Sequence, residues 1–374
     1  MITGQSRRIR NIVNLALVLV ILGVPLGASS EVQAQGLFIV NSELDTAAQD
    51  NYLTLREAIM VANGAHTGAF SAAEKDLVGG PCIWEEYPAL SGNWYINGGA
   101  CGFGHYDTIT FHPSVNQITL NSCLQNLADA GDTIDGGSPV HVTIDASGCN
   151  GNTFTIDDDG ITIQYLSIIN TAPGYNDILV KSGSRAEIAN NLLGLEYTST
   201  SCDASRNGDN GVAVVHTTSG SLGVGLGSAY IYHNVIGCHG YHGVYIDGAD
   251  YVYVGADPSE TIQENYIGLH SDYSIPNGYD GVSIMDYYSN QAKFNHISNN
   301  WIANNGRDGV RVEKSANNYI QGNIIGLGIS GAAAPNAEDG VRISGSNAGY
   351  NTIGALGTVH SSRSSSLYHF NSFN

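Results

Sequence analysis

The sequence has little charge and few cations. Charged residues make up 13% of its 374 positions, and 14 Lys and Arg face 34 Asp and Glu, which gives a formal net charge of −20. Phosphate groups repel a chain with this acidic balance, so we expect no nucleic-acid partner. The hydrophobic fraction of 42% is ordinary, which excludes a membrane protein with many spans, and the low charge excludes a charge-driven disordered chain.

The C-x-x-C motif is also missing. Its absence argues against two kinds of site, a zinc knuckle and a thioredoxin-type redox site. Six cysteines are nevertheless present, and an even number in an exported chain predicts disulfides, although six cysteines allow fifteen pairings. Cys82 and Cys101 bracket an insert rich in Gly, Trp and Tyr without periodicity, and this is the one pair that we predict.

The N-terminal segment has the layout of a signal peptide. Three arginines within residues 7–10 precede an apolar run over 12–26, and residues 32–34 have the small-residue spacing of a signal peptidase site. The apolar run is short for a bilayer and contains Pro25. We therefore predict that residues 1–34 are a signal peptide, that no membrane span remains after cleavage, and that the protein is secreted or attached to the cell surface.

An internal repeat begins at residue 207. Its pattern is Asn, small, any, Asp, Gly, Val, any, then Val or Ile, and variants of it recur with glycines at Gly211, Gly243, Gly281, Gly309 and Gly340. A second signature, Asn-x-Ile-Gly or a close variant, ends at Gly194, Gly237, Gly268 and Gly326. Two landmarks that recur together at this spacing predict a solenoid.

The local period predicts a β-solenoid. Residues 310–312 and 341–343 alternate apolar and other side chains, as strands do, and helical spacing is absent from the repeats. Asn and Gly suit the corners, and stacked Asn side chains can hydrogen-bond along the axis. We predict an all-β parallel β-helix over residues 107–354 with roughly seven or eight coils at the usual strand spacing. Earlier strand candidates are 107–111, 141–145, 153–156, 161–163, 178–180 and 186–188.

A cap is predicted at the front only. Thr54 and Glu57 have capping-box spacing and open a short amphipathic helix, so residues 36–106 are interpreted as an N-terminal cap that includes the Cys-bracketed insert. Residues 355–374 read as an irregular serine-rich tail. The tail falls where another repeat is expected, which suggests a truncated chain.

The residues Leu53-Thr54-Leu55-Arg56-Glu57-Ala58-Ile59 resemble the signature of CSLREA-domain proteins. These are exported bacterial and archaeal right-handed parallel β-helix proteins of the pectate-lyase-like type. The resemblance extends over most of residues 36–354, with two departures, Leu53 in place of the signature Cys and the insert at 77–104. It implies a right-handed β-helix with a short N-terminal capping helix, and export. It implies no particular reaction, and family members include surface or adhesin-like proteins.

No catalytic residue is assigned, and the candidates are His242, Arg311 and Glu313. The segment 238–244 resembles the Gly-His-Gly segment of polygalacturonases, which hydrolyse through paired carboxylates. The repeat alignment gives a simpler interpretation, in which His242 occupies the Asp position of the coil corner.

The sequence predicts no cofactor, with calcium as a possible exception. Asp203, Ser205, Asn207 and Asp209 alternate like the first half of a calcium loop, but Val214 stands where the bidentate acid belongs. Cys238, His239 and His242 could in principle bind zinc, but a cysteine in an exported chain is more often disulfide-bonded.

The outward face of the repeat strands is the predicted ligand-binding surface. Stacked coils would align outward residues in columns, and the binding candidates are Tyr245, Asp247, Arg311, Glu313 and Arg342. Tyrosines interleaved with charged groups suit an extracellular polysaccharide or a cell-surface glycan. Three functions remain open, with a monomer expected for each: a non-catalytic glycan-binding or adhesin-like module, a polysaccharide lyase or glycoside hydrolase acting on an acidic polysaccharide, and a structural stalk of a larger surface protein.

Overall fold

The computed structural model describes residues 36–66, 68–80, 82–99, 101, 104–138, 141–181, 185–202, 207–216, 229–255, 264–287, 292–354 and 368–370. The predicted signal peptide lies outside these residues. Within them, neither helix is long and apolar enough to cross a membrane.

The chain winds into a parallel β-helix with three long sheets, as predicted. The first sheet contains, in spatial order, Val78–Gly79, Leu37–Val40, Thr108–Phe111, Thr133–Asp135, Ile161–Gln164, Ala186–Ala189, Ala229–Tyr232, Tyr253–Gly255, His296–Ser298, Tyr319–Gln321 and Thr352–Ile353. The second contains Gln117–Thr119, Val142–Asp145, Leu166–Ile169, Leu192–Leu193, Val235–Ile236, Tyr266–Ile267, Trp301–Ile302 and Ile324–Ile325. The third contains Phe154–Ile156, Asn176–Lys181, Asn210–Val215, Val244–Asp247, Val282–Met285, Val310–Glu313, Val341–Ser344 and Tyr368–Phe370.

Seven successive coils, from Thr133 to Ser344, contribute a strand to every sheet. Neighbouring strands in the three sheets are parallel, except that Val78–Gly79 and Tyr368–Phe370 pair antiparallel with Leu37–Val40 and Val341–Ser344. The first sheet begins well before residue 107, because Leu37–Val40 pairs in parallel with Thr108–Phe111. The tail contains a strand at Tyr368–Phe370, which the serine-rich composition does not predict.

The repeat valines form one interior column. Val212, Val244, Val282, Val310 and Val341 are in register on adjacent strands and are buried. Each strand turns alternate side chains inward, so one valine per coil packs above the last. The prediction that each Asp-Gly-Val landmark marks one turn is therefore confirmed.

Stacked asparagines hold the corners. In the Asn-x-Ile-Gly signature, the side-chain oxygen of Asn265 accepts hydrogen bonds from both the backbone N–H (3.0 Å) and the side-chain amide (3.1 Å) of Asn234. Its own amide donates to Asn300 and to the backbone oxygen of Ile231. The complete ladder is Asn191, Asn234, Asn265, Asn300 and Asn323.

Two positions, Gly268 and Gly309, show why the corners need glycine. Gly268 has a φ of +83°, and a Cβ there would lie 2.0 Å from the carbonyl oxygen of Ala303 in the next coil. In the Asp-Gly-Val corner, a Cβ on Gly309 would lie 2.6 Å from the carbonyl oxygen of Gly340. A side chain at either position would force adjacent coils apart.

Two helices lie in the N-terminal segment, α1 (Leu55–Ala62) and α2 (Ala72–Leu77). The predicted capping box of α1 is present between Thr54 and Glu57. A second capping box, between Ser71 and Glu74, begins α2. Two short antiparallel pairs complete the structure, Cys82–Glu86 with Trp94–Gly99 and Leu269–His270 with Tyr273–Ser274.

All six cysteines form disulfides. The structure joins Cys82 to Cys101, the pair predicted from the insert, and also Cys123 to Cys149 and Cys202 to Cys238. Three disulfides indicate an oxidising compartment.

Candidate functional site

The predicted binding residues lie on adjacent strands of the third sheet. We call Ala213, Tyr245, Ser283, Arg311 and Arg342 the first outer column, and their register is continuous over five coils. Two residues further along each strand, Val215, Asp247, Met285, Glu313 and Ser344 form the second outer column. The structure therefore brings all five predicted ligand-binding residues onto one face.

The face is not the flat exposed surface that strand alternation alone predicts. Ala213 and Ser283 point outward, yet they are 1% and 0% exposed. Both have short side chains, and Ser283 lies between the long side chains of Tyr245 and Arg311. Ser283 is thus fully covered, although it lies on the outward side of its strand.

A column of corner residues runs beside it. We call Asn210, His242, Asp280, Asp308 and Asp339 the corner column. Each of the first four side chains accepts a hydrogen bond from the backbone N–H of the next member, as Asp308 Oδ1 does from Asp339 at 3.0 Å. The carboxylates of Asp280 and Asp308 are fully buried, so their role in the fold is to tie one coil to the next.

His242 takes the role of an aspartate in this column. Its Nδ1 lies 3.3 Å from the backbone nitrogen of Asp280 and 3.3 Å from Oδ2 of the same residue. Its ring also stacks on Tyr245, with centroids 5.5 Å apart. The simpler interpretation of the sequence, that His242 fills a repeat position, accounts for these contacts.

A fourth column contains exposed and half-buried aromatic and charged groups that the sequence analysis did not single out. The third position of each repeat aligns Asp209, Tyr241, Tyr279, Arg307 and Glu338 through backbone hydrogen bonds between coils. Tyr241 stacks on Tyr279 at 4.8 Å, and the Arg307 guanidinium lies 5.3 Å from the centre of the Tyr279 ring. The position is variable within the repeat, and only its comparison down successive coils gives the signal.

The arginines of the face are neutralised within the chain. Arg311 lies 2.5 Å from Glu313, and Arg342 and Arg307 lie 3.0 and 3.2 Å from Glu338. Tyr245 donates from its hydroxyl to Asp247 at 3.2 Å. The carboxylate of an acidic sugar would have to compete with Glu313 for Arg311 and with Glu338 for Arg342.

Burial and charge alter one carboxyl of the corner column. The pKa of Asp308 is raised to about 6, chiefly by burial and also by the carboxylates of Asp280 and Asp339, while the hydrogen bond from the backbone of Asp339 acts in the opposite direction. The nearest guanidinium, that of Arg342, lies 3.9 Å away and offsets part of this effect. Asp308 therefore titrates closer to neutral pH than an exposed aspartate.

The calcium candidates are only partly described. Asp203 and Ser205 lie outside the described residues. Asn207 accepts from the backbone N–H of Asn170 at 3.0 Å, and Asp209 from that of Gly174 at 2.9 Å. Both side chains thus connect adjacent coils. Of the three zinc candidates, Cys238 is bonded to Cys202, so its thiolate is not available to a metal.

An acidic cluster occurs near the start of the β-helix. Carboxylate oxygens of Asp107, Asp129 and Asp132 lie within 4.8 Å of one another, and all three residues are buried. Burial raises the pKa of Asp132 to about 8, and the nearby carboxylates of Asp107 and Asp129 add to the effect. Backbone N–H groups of Gly104 and Asp107 donate to the cluster, which gives it a structural role.

The first sheet carries a separate aromatic stack on its outer face. Tyr230, Tyr253, His296 and Tyr319 lie in register, with ring centroids 4.6–5.0 Å apart and planes within 14° of parallel. Their faces cover one another, so this stack presents mainly ring edges to a ligand. It therefore offers little stacking surface to a sugar.

No protein-family model matches this chain, and no curated protein matches it. The resemblance to CSLREA-domain proteins stays a prediction.

Proposed function

We propose that this protein is a secreted or cell-surface β-helix that binds glycans without catalysis, through the outer face of the third sheet. The observation that carries the proposal is the alignment of Tyr241, Tyr279 and Arg307 beside the two outer columns. The Tyr241 side chain is 44% exposed, and Tyr279 covers one face of its ring. The exposed part of the ring can stack on a sugar.

The charge of the face favours a neutral glycan. Seven acidic residues lie on these four columns against three arginines: Asp209, Asp247, Asp280, Asp308, Glu313, Glu338 and Asp339. The whole chain has a net charge of −20. Acidic polysaccharides would be repelled at a distance and would find the arginines already paired.

The site of action is proposed from two observations. The three disulfides are stable in an oxidising compartment, and residues 1–34 have the pattern of a signal peptide. Both support export, as the resemblance to CSLREA-domain proteins does.

A glycan array tests the proposal. Neutral and acidic extracellular glycans are presented to the purified chain and to the Tyr241→Ala, Tyr245→Ala and Arg311→Ala variants. We expect binding to neutral glycans, with at least a tenfold loss in the Tyr241 and Tyr245 variants. Tyr87→Ala, on the remote insert, is the matched control because Tyr87 is also exposed. Binding that persists in all three variants would place the site elsewhere, and a chain that binds no glycan would leave the structural stalk as the better hypothesis.

Hydrolysis is the second candidate, and the corner column supports it. Asp280 and Asp308 lie on adjacent coils, about 4.8 Å apart along the sheet, close to the ~5 Å between the carboxyl groups of retaining glycosidases. The raised pKa of Asp308 suits a general acid. Against this, both side chains are fully buried and occupied by backbone N–H groups. Release of reducing sugar that Asp308→Asn abolishes would favour hydrolysis over binding alone.

A further inference from the structure

Five buried polar atoms without a hydrogen bond lie close in sequence register on three consecutive coils of the third sheet. They are Oδ2 of Asp280 and of Asp308, Oγ of Ser283, and Nε of Arg311 and of Arg342. The two carboxylate oxygens have neighbours beyond ideal hydrogen-bond geometry, His242 Nδ1 at 3.3 Å from Asp280 and Arg342 Nη1 at 3.9 Å from Asp308. Proteins hydrogen-bond nearly all of their buried polar groups. A concentration of unpaired groups on a candidate binding face therefore marks a place where a bound molecule can supply the partners.

Donors and acceptors are interleaved in this group. Ser283, Arg311 and Arg342 are in register on adjacent strands, and Asp280 and Asp308 precede Ser283 and Arg311 by three residues. Adjacent strands lie about 4.8 Å apart. Carboxylate oxygens that can only accept thus lie beside guanidinium N–H groups that can only donate.

Ser283 has a short side chain between two longer neighbours of the first outer column and is fully buried, and we call this covered position the Ser283 notch. The notch is closed by long side chains on either side, Tyr245 and Arg311. The Arg311 side chain is 18% exposed, and Glu313, 24% exposed, holds it. A rotation of the Arg311 side chain would open the notch.

We propose that the Ser283 notch binds two adjacent hydroxyl groups of a neutral sugar ring. A hydroxyl both donates and accepts, so each can donate to a carboxylate oxygen of Asp280 or Asp308 and accept from an arginine N–H. An anionic group would hydrogen-bond to the arginines but would be repelled by the carboxylates of the corner column. A cation would bind those carboxylates but would be repelled by the arginines. This inference rests on the proposed function and specifies the chemistry of its ligand.

Three variants test it. Ser283→Tyr fills the notch, and the same column already carries Tyr245, so the fold should accept the ring. Asp308→Asn keeps an oxygen for the backbone N–H of Asp339, as Asn210 does for His242, but replaces the unpaired acceptor with a donor. Thr162→Tyr is the matched control, because its column on the first sheet carries Tyr230 and Tyr253.

The probes are neutral gluco-, galacto- and manno-oligosaccharides and polygalacturonate, with thermal melting of each variant as the check on folding. We expect the tightest-binding neutral oligosaccharide to lose at least tenfold in affinity with Ser283→Tyr and with Asp308→Asn, and to be unaffected by Thr162→Tyr. Unchanged binding in the first two variants would overturn the notch while leaving the face as the binding site. Tighter binding of polygalacturonate than of every neutral probe would overturn the neutral diol. A structure of the complex in which ordered waters alone occupy the notch would also overturn the notch proposal. A protein that binds none of the probes would overturn the proposed glycan-binding function itself.

Discussion

The Nε2 atom of His239 lies 2.9 Å from Oδ2 of Asp177, two coils away, and neither side chain is exposed. In the strand register, Asp177 is equivalent to Gly211 and Gly243 of the next two coils. His239 stands at the position where most other repeats have Asn. The other ring nitrogen, Nδ1, faces Oδ1 of Asn277 at 3.0 Å. Both ring nitrogens of His239 therefore lie within hydrogen-bonding distance of a side-chain oxygen from another coil.

This pair can be replaced by the residues that the other coils use. His239→Asn or Asp177→Gly alone should lower the free energy of unfolding by about 3–5 kcal/mol, because each leaves a buried group without its partner. The double variant restores the Asn and Gly of the repeat, so its loss should be far smaller than the sum. Urea denaturation of the four proteins measures this, and additive losses would show that the two residues act independently.

The asparagine ladder should be most sensitive in its middle. Asn265→Ala removes four side-chain hydrogen bonds to three neighbouring residues, so we expect a loss of about 3 kcal/mol or more in the free energy of unfolding. Asn323→Ala, at the last coil of the ladder, is the control: its oxygen also accepts two hydrogen bonds from Asn300, but its amide donates only to the backbone of Ile297 and to no further asparagine. Chemical denaturation gives both values, and equal losses would contradict a cooperative ladder.

The cap of α1 gives a smaller and local prediction. Thr54→Ala removes a side chain that accepts from the backbone N–H of Glu57 and should destabilise the protein by about 1–2 kcal/mol. Thr54→Ser should recover most of this, because the hydroxyl is retained. Ser71→Ala, at the shorter helix α2, should cost less. A full loss in the serine variant would instead indicate that the threonine methyl group matters.

Stability should fall as pH rises from 5 to 8. The folded-state pKa of Asp132 is raised to about 8 and that of Glu57 to about 7, by burial in both cases. Below pH ~4 both groups are protonated in either state. As pH rises, the unfolded chain loses these protons first, so folding becomes less favourable until the folded pKa is passed. Melting temperatures across this range measure the effect.

Asp132→Asn should flatten this pH dependence, while Asp76→Asn, at an exposed position, should leave it unchanged. The opposite slope, with stability rising between pH 5 and 8, would show that these carboxyls are ionised in the folded protein.

The coil repeat can be predicted from the sequence because each landmark residue packs against the residue at the same position in the neighbouring coils, so the same residue type recurs. Val244 and Val310 recur since every coil needs an apolar residue at the same interior point. Strands Gln117–Thr119 and Thr133–Asp135 have no such landmark and are not predicted. Helix α2 has a readable signal, the spacing of Ser71 and Glu74, within a segment that otherwise lacks periodicity.

Contacts between coils are harder to predict than membership of a column. The register of Ser283 follows from the repeat, but its burial depends on the size of Tyr245 and Arg311 in the coils on either side. The contact of His239 with Asp177 spans 62 residues and passes over Gly211, so it requires knowledge of three coils together. Local pattern therefore fixes which face a residue occupies, while neighbouring side chains decide what it can bind.

Antiparallel strands close two of the sheet ends. Val78–Gly79 pairs with the outermost parallel strand of the first sheet, and Tyr368–Phe370 does the same for the third. A further parallel coil cannot add to a strand edge that is already occupied by a strand of opposite direction. Such strands act as terminators against end-to-end polymerisation, a hazard for any stack of identical rungs, and their deletion should turn a discrete particle into a growing fibre.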